Sequence, residues 1–288
     1  MDPPYELVRL PNKTFSIRSL AENETFHPVV GPVAEAEALY VNQLKLRRRV
    51  QAHAGSFVIW DVGLGAAANV LTVLRAVADL NCSLRIISFD RTTAPLDFAL
   101  RHAAQLGYFA GYESAVRELL ATGSALNGNW ELRLGDFPEW LRQTPAPAPP
   151  PHAILFDAFS PARNPAMWTA SLFRDLFRCL DPGRPCAMPT YSRSTMLRVT
   201  LLLAGFFVGV GHATGEKEET TIAANTLELL DEPLPASWLQ RARKSKSAEP
   251  LRRPVYRQQP LSNETWEQLI RHPQFQLNTL SPPLRCPE

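Results

Sequence analysis

The sequence predicts an α/β protein built on a doubly wound, mostly parallel sheet with an antiparallel terminal hairpin. Three observations carry the prediction. Short apolar runs alternate with stretches of helical period, a glycine-containing turn follows the first run, and four runs close on an acid, at Asp61, Asp90, Asp136 and Asp157. Strands separated by helical stretches run parallel, because each crossover helix must cover a face of the sheet.

Taken in order, 56–61 (SFVIWD) reads as the first strand, and 67–80 as a helix with Val70, Val73, Leu74 and Val77 on one face. The run 84–90 (LRIISFD) is the second strand, followed by a helix over 95–106 that opens at Pro95. A third strand covers 130–134 and leads into Gly135-Asp136, and a fourth covers 153–157 (AILFD). Residues 167–180 are helical, 184–190 form a fifth strand broken by proline, and 194–204 are helical again. The runs 206–210 and 220–224 have no helix between them and are expected to pair antiparallel.

A chain of 288 residues, 45% of them apolar and 20% charged, can bury a sizeable core. That balance excludes wholesale disorder. The longest apolar stretch, 199–211, is shorter than the roughly 20 residues of a membrane span, and MDPPYELVRL at the N-terminus lacks the basic-then-apolar order of a signal peptide. A cytoplasmic protein with no membrane role is expected. Cys82, Cys179, Cys186 and Cys286 stand apart without a C-x-x-C, and the histidines after His27 form no spaced cluster, so reduced thiols and no metal site are expected.

The 26 prolines cluster, and 144–151 (TPAPAPPP) reads as an extended connector. Three regions follow: an N-terminal extension over 1–50 that packs on the core, the α/β domain over 51–230, and a proline-rich, basic C-terminal extension over 231–288. Net charge is +2, yet Arg241, Arg243, Lys244, Lys246, Arg252, Arg253 and Arg257 fall together against Glu249 alone. Such a segment suits a polyanionic partner or a solvated tail equally. Lys45, Arg47, Arg48 and Arg49 read as a solvated helix face.

In parallel sheets of this kind, ligands bind outside the carboxyl ends of the strands, where the four acids converge. The turn Asp61-Val-Gly63-Leu-Gly65 lets a backbone approach a ligand and leaves helix N–H groups free, although the full G-x-G-x-x-G is absent. Asp90 is placed to hold a ribose through paired hydroxyls, which serves a nicotinamide or an adenosyl cofactor alike. Gly135-Asp136-Phe137 discriminates between them: the acid accepts from an adenine amine and the ring stacks on the base, which suits S-adenosylmethionine better than NAD. Asp157-Ala-Phe159-Ser-Pro161 then lies where a methyl group would be transferred, with a carboxylate to take an amine proton and an aromatic wall beside it. His27, before Pro28, is a further residue for the pocket, and Trp168 reads as packing.

The string 156–173 (FDAFSPARNPAMWTASLF), with Asp181-Pro-Gly183 and Leu203-Ala-Gly205-Phe206, resembles the tRNA 5-methylaminomethyl-2-thiouridine methyltransferases. Phe26-His27, Gly31 and Glu35 are similar to that family's element before the first strand, and the resemblance covers about 25–224. It implies a class I (Rossmann-like) methyltransferase fold over 51–230, S-adenosylmethionine as cofactor, no metal, and the aminomethyl nitrogen of a wobble uridine in the tRNA anticodon region as acceptor. Carried over, Gly63, Gly65 and Asn69 form the methionine-side loop with Asp61 near the amino acid moiety. Asp90 holds the ribose, Asp136 and Phe137 the adenine, and Asp157 orients or deprotonates the amine, with Phe159 and Lys217 on the substrate.

The family often carries a fused flavin-dependent oxidase domain; none is expected within 288 residues, which implies a separate oxidase acting upstream. The family's Thr-Gly-Leu-Asn is Ala66-Ala67-Ala68-Asn69 here, Arg184 replaces a second glycine after Pro182, and its Lys-Arg-Glu is Lys217-Glu218-Glu219. The basic 241–257 segment is expected to supply phosphate contacts in place of the lost arginine. The residues leave open a class I transferase with another acceptor (a small-molecule or protein methyltransferase, or an aminopropyl transferase). They also leave open a catalytically degenerate RNA-binding homologue.

Overall fold

The computed structural model describes residues 4–143, 148–215 and 218–277. Three short strands, β1 (Tyr5–Arg9), β2 (Phe15–Ser19) and β3 (Glu24–Thr25), form an antiparallel sheet of their own. The main sheet holds β4 (Ser56–Val62), β5 (Ser83–Asp90), β6 (Ser124–Ala125), β7 (Trp130–Leu134), β8 (Ala153–Phe156), β9 (Ala187–Thr190), β10 (Phe207–Gly211) and β11 (Thr220–Ala224). Their order is β10-β11-β9-β8-β4-β5-β7-β6, with β9, β8, β4, β5 and β7 mutually parallel. The expected hairpin is present, and its second strand inserts: β11 lies antiparallel between β9 and β10.

The central strands read as continuous apolar runs because both faces are covered. In β4, Val58, Trp60 and Val62 join one core layer, while Phe57 and Ile59 join the other. The first layer is filled from the helices Ala170–Arg178 and Thr195–Ala204, the second from Ala68–Val77, Ala94–Arg101 and Glu113–Thr122. The last of these helices was not expected from the sequence. The helix expected over 95–106 breaks at His102 into Ala94–Arg101 and Ala103–Leu106. Pro189 sits inside β9 and has no N–H to donate, and the β8–β9 pairing is confined to Ala153 opposite Ala187.

Both flanking regions are part of this core. From the N-terminal region come Leu39, Tyr40, Leu46 and Val50, carried partly on a π-helical stretch, Glu37–Gln43. From the C-terminal region, Trp238, Ala248, Leu251, Leu261 and Phe275 are buried in the first layer. Gln274 donates to the carbonyls of Val208 and Leu234 and accepts from Val208 N–H, which closes the β10 side of the sheet. Among the described residues, no helix is long and apolar enough to cross a membrane. Of the expected proline-rich connector, 144–147 lies outside the described residues; the carbonyls of Pro149 and Pro150 accept from Trp60 and Arg184.

Candidate active site

The chain runs from β4 outward to β5 and β7, then returns to place β8 on the other side of β4. That reversal opens a crevice at the carboxyl ends of β4 and β8. Val62 carbonyl accepts Asp157 N–H (3.0 Å), and Phe89 carbonyl accepts Gly63 N–H (2.9 Å), so the turn after β4 is stitched to both neighbours. Gly63 has φ +92°, and a Cβ there would stand 2.7 Å from the Asp157 carbonyl oxygen. Only glycine lets the two strand ends lie this close.

The turn then enters the helix Ala68–Val77 through Ala67, which has φ 60° and is fully buried. By the resemblance drawn above, this position corresponds to a glycine of that family. An alanine here occupies the left-handed region at a cost on the order of 1 kcal/mol.

A cavity of about 400 Å³ lies over this turn, within the size range of cofactor sites. Gly63, Gly65, Asn69, Asp90, Phe137, Asp157 and Phe159 all line it. Asp90 does more than face a ligand: Oδ2 accepts Gly65 N–H (2.9 Å) and Oδ1 accepts the N–H groups of Arg91 (2.7 Å) and Thr92 (3.3 Å). Burial raises its pKa, and those backbone donors pull the other way. Asn69 donates through Nδ2 to Asp157 Oδ2 (2.8 Å). Phe137 packs on Phe89, with ring centroids 5.1 Å apart.

Two expected residues fall elsewhere. Asp61 does not line the cavity; it is 1% exposed, and neither carboxylate oxygen has a hydrogen-bond partner among the described residues. Burial lifts its pKa to about 8, Ser88 alongside offsetting only part, and Asp157 and Asp90 add to the rise. The Asp136 carboxylate lies outside the main cavity and takes a two-pronged bond from Arg91 (3.0 and 2.5 Å), although Gly135 and Phe137 on either side line it. Lys217 lies outside the described residues.

The opposite wall comes from the N-terminal region. Glu24, Phe26, His27 and Glu35 line the cavity, and Glu24 accepts the Ser160 N–H (3.1 Å) while Phe26 meets the Phe159 ring edge-on at 5.5 Å. His27 lies between two carboxylates, with Nδ1 3.2 Å from Glu35 and Nε2 3.4 Å from Asp157. Burial opposes its charge, but Asp157 and Glu35 outweigh burial and lift its pKa to about 9. Ligand-type atoms of this trio lie within 4.8 Å of one another. The imidazole engages both carboxylates, so the three side chains form a continuous string.

Of these residues, His27 was legible from the sequence; Tyr191, which lines the cavity and donates to the Ala158 carbonyl (3.0 Å), and Glu24 carried no sequence signal. Trp168 packs as expected, 1% exposed with Nε1 on the Phe159 carbonyl (2.8 Å). Away from the cavity, Arg47 binds Asp79, Lys45 binds Asp231, and Arg49 binds the carbonyls of His152 and Pro185. Three cations of the expected solvated face are thus tied to the protein. Glu219, the position that keeps its acid in the Lys217-Glu218-Glu219 string, bonds buried Arg198 (3.3 Å) and Arg241 (3.5 Å) and so docks the C-terminal region.

The cavity suits an adenosyl cofactor. Its floor is a glycine turn with helix N–H groups beyond it, an acid stands on the ribose side, and apolar rings stand on the base side. Buried Asn69 Oδ1 also lacks a partner. Residues 103–226 match the family model described as S-adenosyl-L-methionine-dependent methyltransferase.

The chain is 29% identical to the tRNA 5-methylaminomethyl-2-thiouridine biosynthesis bifunctional protein MnmC of Ectopseudomonas mendocina, over 69% of this chain and 31% of that protein. It is also 29% identical to the protein of that name from Methylibium petroleiphilum, over 75% of this chain and 34% of that one. The chain thus spans about a third of the length of these relatives. Among solved structures, MnmC2 from Aquifex aeolicus superposes with TM-score 0.68 at 20% identity, covering 96% of this chain and 86% of that one. A spermidine synthase bound to a transition-state analogue superposes with TM-score 0.52 at 12% identity, covering 92% and 84%. Fold, cavity and sequence matches point the same way: the chain is similar to MnmC over most of its length, and its residues 103–226 match the S-adenosyl-L-methionine-dependent methyltransferase model.

Proposed function

We propose that this chain is an N-methyltransferase that acts on the aminomethyl group of a modified wobble uridine in tRNA. The observation that carries the reading is Asp157: a carboxylate held by Asn69 at the end of β8, opposite the glycine turn, beside the Phe26–Phe159 wall. Gly63, Gly65 and Asp90 would hold the cofactor, with Phe137 on its base side. Bound there, S-adenosylmethionine supplies an electrophilic methyl on a sulfonium.

An aminomethyl group arrives largely as ammonium, which has no lone pair to offer. Asp157 would take a proton from it and leave a lone pair free, aimed at the methyl that the bound cofactor would supply. Phe159 and Phe26 exclude water and orient the acceptor. A separate oxidase-type activity would supply the free aminomethyl group. The names of the MnmC relatives support this acceptor.

For tRNA, the stretch 252–260 of the basic segment is exposed throughout, with Val255 52% and Tyr256 38% exposed. Arg252 has Glu249 and Glu264 nearby, while Arg253 and Arg257 make no ion pair with a described residue. We assign these arginines to phosphate contacts. Tritiated methyl transfer to tRNA from cells lacking the final methylation is the test, with decarboxylated cofactor in parallel. Methylated uridine without aminopropyl product is expected; aminopropyl transfer, or no transfer, sinks the reading. Changing Arg253 and Arg257 to serine should flatten the log–log salt dependence of tRNA binding by about two.

A further inference from the structure

We propose that His27 is a positioning residue for the transfer: linked through Nδ1 to Glu35 and set through Nε2 against Asp157, it fixes the Asp157 carboxylate toward the acceptor amine. The inference rests on the methyltransferase reading above and adds a residue and a role to it.

Four observations converge. The string Glu35–His27–Asp157 is closed at both ends, 3.2 and 3.4 Å. Its side chains are 8%, 9% and 17% exposed, so water does little to substitute for any link. The Asp157 oxygen that faces His27 is also the one that accepts from Asn69 (2.8 Å), so a hydrogen bond and an ion pair from different elements meet at the same Oδ2. Finally, His27 has φ 48°, a left-handed conformation that a residue with a Cβ adopts only when its surroundings impose it.

Those surroundings are specific. Phe26 N–H bonds the Ile17 carbonyl, and Ser16 bonds the Phe26 carbonyl. Asn12 holds the Val30 carbonyl on the far side (2.8 Å). The segment is pinned before and after His27, and the ring is delivered to one place.

The charges favour the same arrangement. Burial opposes an imidazolium, yet the flanking carboxylates raise the ring to about 9, so it is cationic at neutral pH. The other titratable groups around the trio are Tyr40 from the π-helical stretch, Tyr191 after β9, Asp61 of β4 and Glu24 of β3. Burial keeps both tyrosines protonated, with Asp157 and Glu35 adding to the effect. Asp61 is neutral below about 8. The imidazolium therefore faces Asp157 and Glu35 as its ion partners, and with both ionised the trio carries one net negative charge. That suits a site which must accept a cationic amine and relieve it of a proton.

An imidazolium cannot itself take that proton, so His27 acts through Asp157. The role predicts an alkaline limb: as His27 loses its charge near about 9, Asp157 loses its anchor and the rate falls. The amine's own ionisation acts in the opposite sense, raising the rate with pH.

The test uses the full chain, the variants Glu35→Gln and His27→Gln, and two readouts. Nitrogen-15 NMR of ring-labelled protein without cofactor follows the His27 titration, assigned by its loss in His27→Gln. Methyl transfer to undermodified tRNA is followed across pH. We expect the ring to titrate near 9 in the wild type and lower in Glu35→Gln, with the alkaline limb moving down in step and vanishing in His27→Gln. kcat should fall by about tenfold to a hundredfold with cofactor affinity within a few-fold.

A ring titrating at the ordinary imidazole value, or an alkaline limb unmoved in active variants, overturns the assignment. A merely structural histidine would lower the rate evenly at every pH. If His27→Gln does not fold, the shift in Glu35→Gln decides. Wild-type protein that binds S-adenosylmethionine but methylates no amine overturns the functional reading as well.

Discussion

The cavity has two walls built by different means. The sheet-end wall is backbone: the glycine turn after β4, the β8 terminus and the Asp90 carboxylate, whose oxygens bond backbone N–H groups. The N-terminal wall is side chains brought across the chain, with Glu24 on Ser160, Phe26 on Phe159 and His27 on Asp157. The first wall tolerates little change in shape and the second little change in charge. A backbone wall offers the same N–H groups whatever its side chains, whereas a side-chain wall depends on each partner's protonation. The first thus suits holding a cofactor and the second suits handling a proton.

The largest effect that sharpens this contrast is expected from Gly63→Ala. Its Cβ would meet the Asp157 carbonyl at 2.7 Å on a backbone at φ +92°. A loss on the order of 3 kcal/mol in stability is expected, together with lost cofactor binding. Thermal unfolding and calorimetric titration would check it, and wild-type values in both would remove the argument that the turn is shape-limited.

Next is the pH dependence of stability. An unfolded Asp61 releases its proton in the ordinary carboxylate range, whereas the folded residue keeps it to about 8. Across that window the folded state binds the extra proton, so stability falls as pH rises. His27 acts in the same sense at higher pH, from the ordinary imidazole value to about 9. Asp61→Asn should flatten the lower part of the decline and leave the His27 part, as read by denaturant unfolding at stepped pH. An unchanged slope would place the buried charge elsewhere.

Smaller effects probe the margins of the sheet-end wall. Ala67→Gly should raise stability by roughly 1 kcal/mol, since φ 60° suits glycine, with transfer activity retained. Asp136→Ala should weaken S-adenosylmethionine binding by no more than about fivefold, because its carboxylate is engaged by Arg91 at the rim and such exposed pairs contribute little. A far larger loss by calorimetry would return Asp136 to direct cofactor contact.

Much of this was legible along the chain. The strands at 56–61, 84–90, 130–134 and 220–224 were readable because buried parallel strands are short apolar runs bounded by turns, and the observed elements fall within a residue of them. The helix Glu113–Thr122 was missed since its apolar positions are few, and only Val116 and Leu119 are buried in it. The small β1–β2–β3 sheet escaped notice because its strands are short and only half buried. Asn69 was assigned to the cofactor loop, and its bond to Asp157 spans 88 residues of sequence.

Local pattern was sufficient for the parallel core, the glycine turn at 63–65 and the acids at the strand ends, because period, turn chemistry and strand length are written within a few consecutive residues. Long-range packing was needed to bring His27 and Glu35 to Asp157, to take Asp61 out of the cavity and Asp136 to its rim, and to make Glu219 the anchor of Arg198 and Arg241. The physical reason is that a carboxylate's role depends on its burial and on which donor stands beside it, and neither is set by its neighbours in the chain.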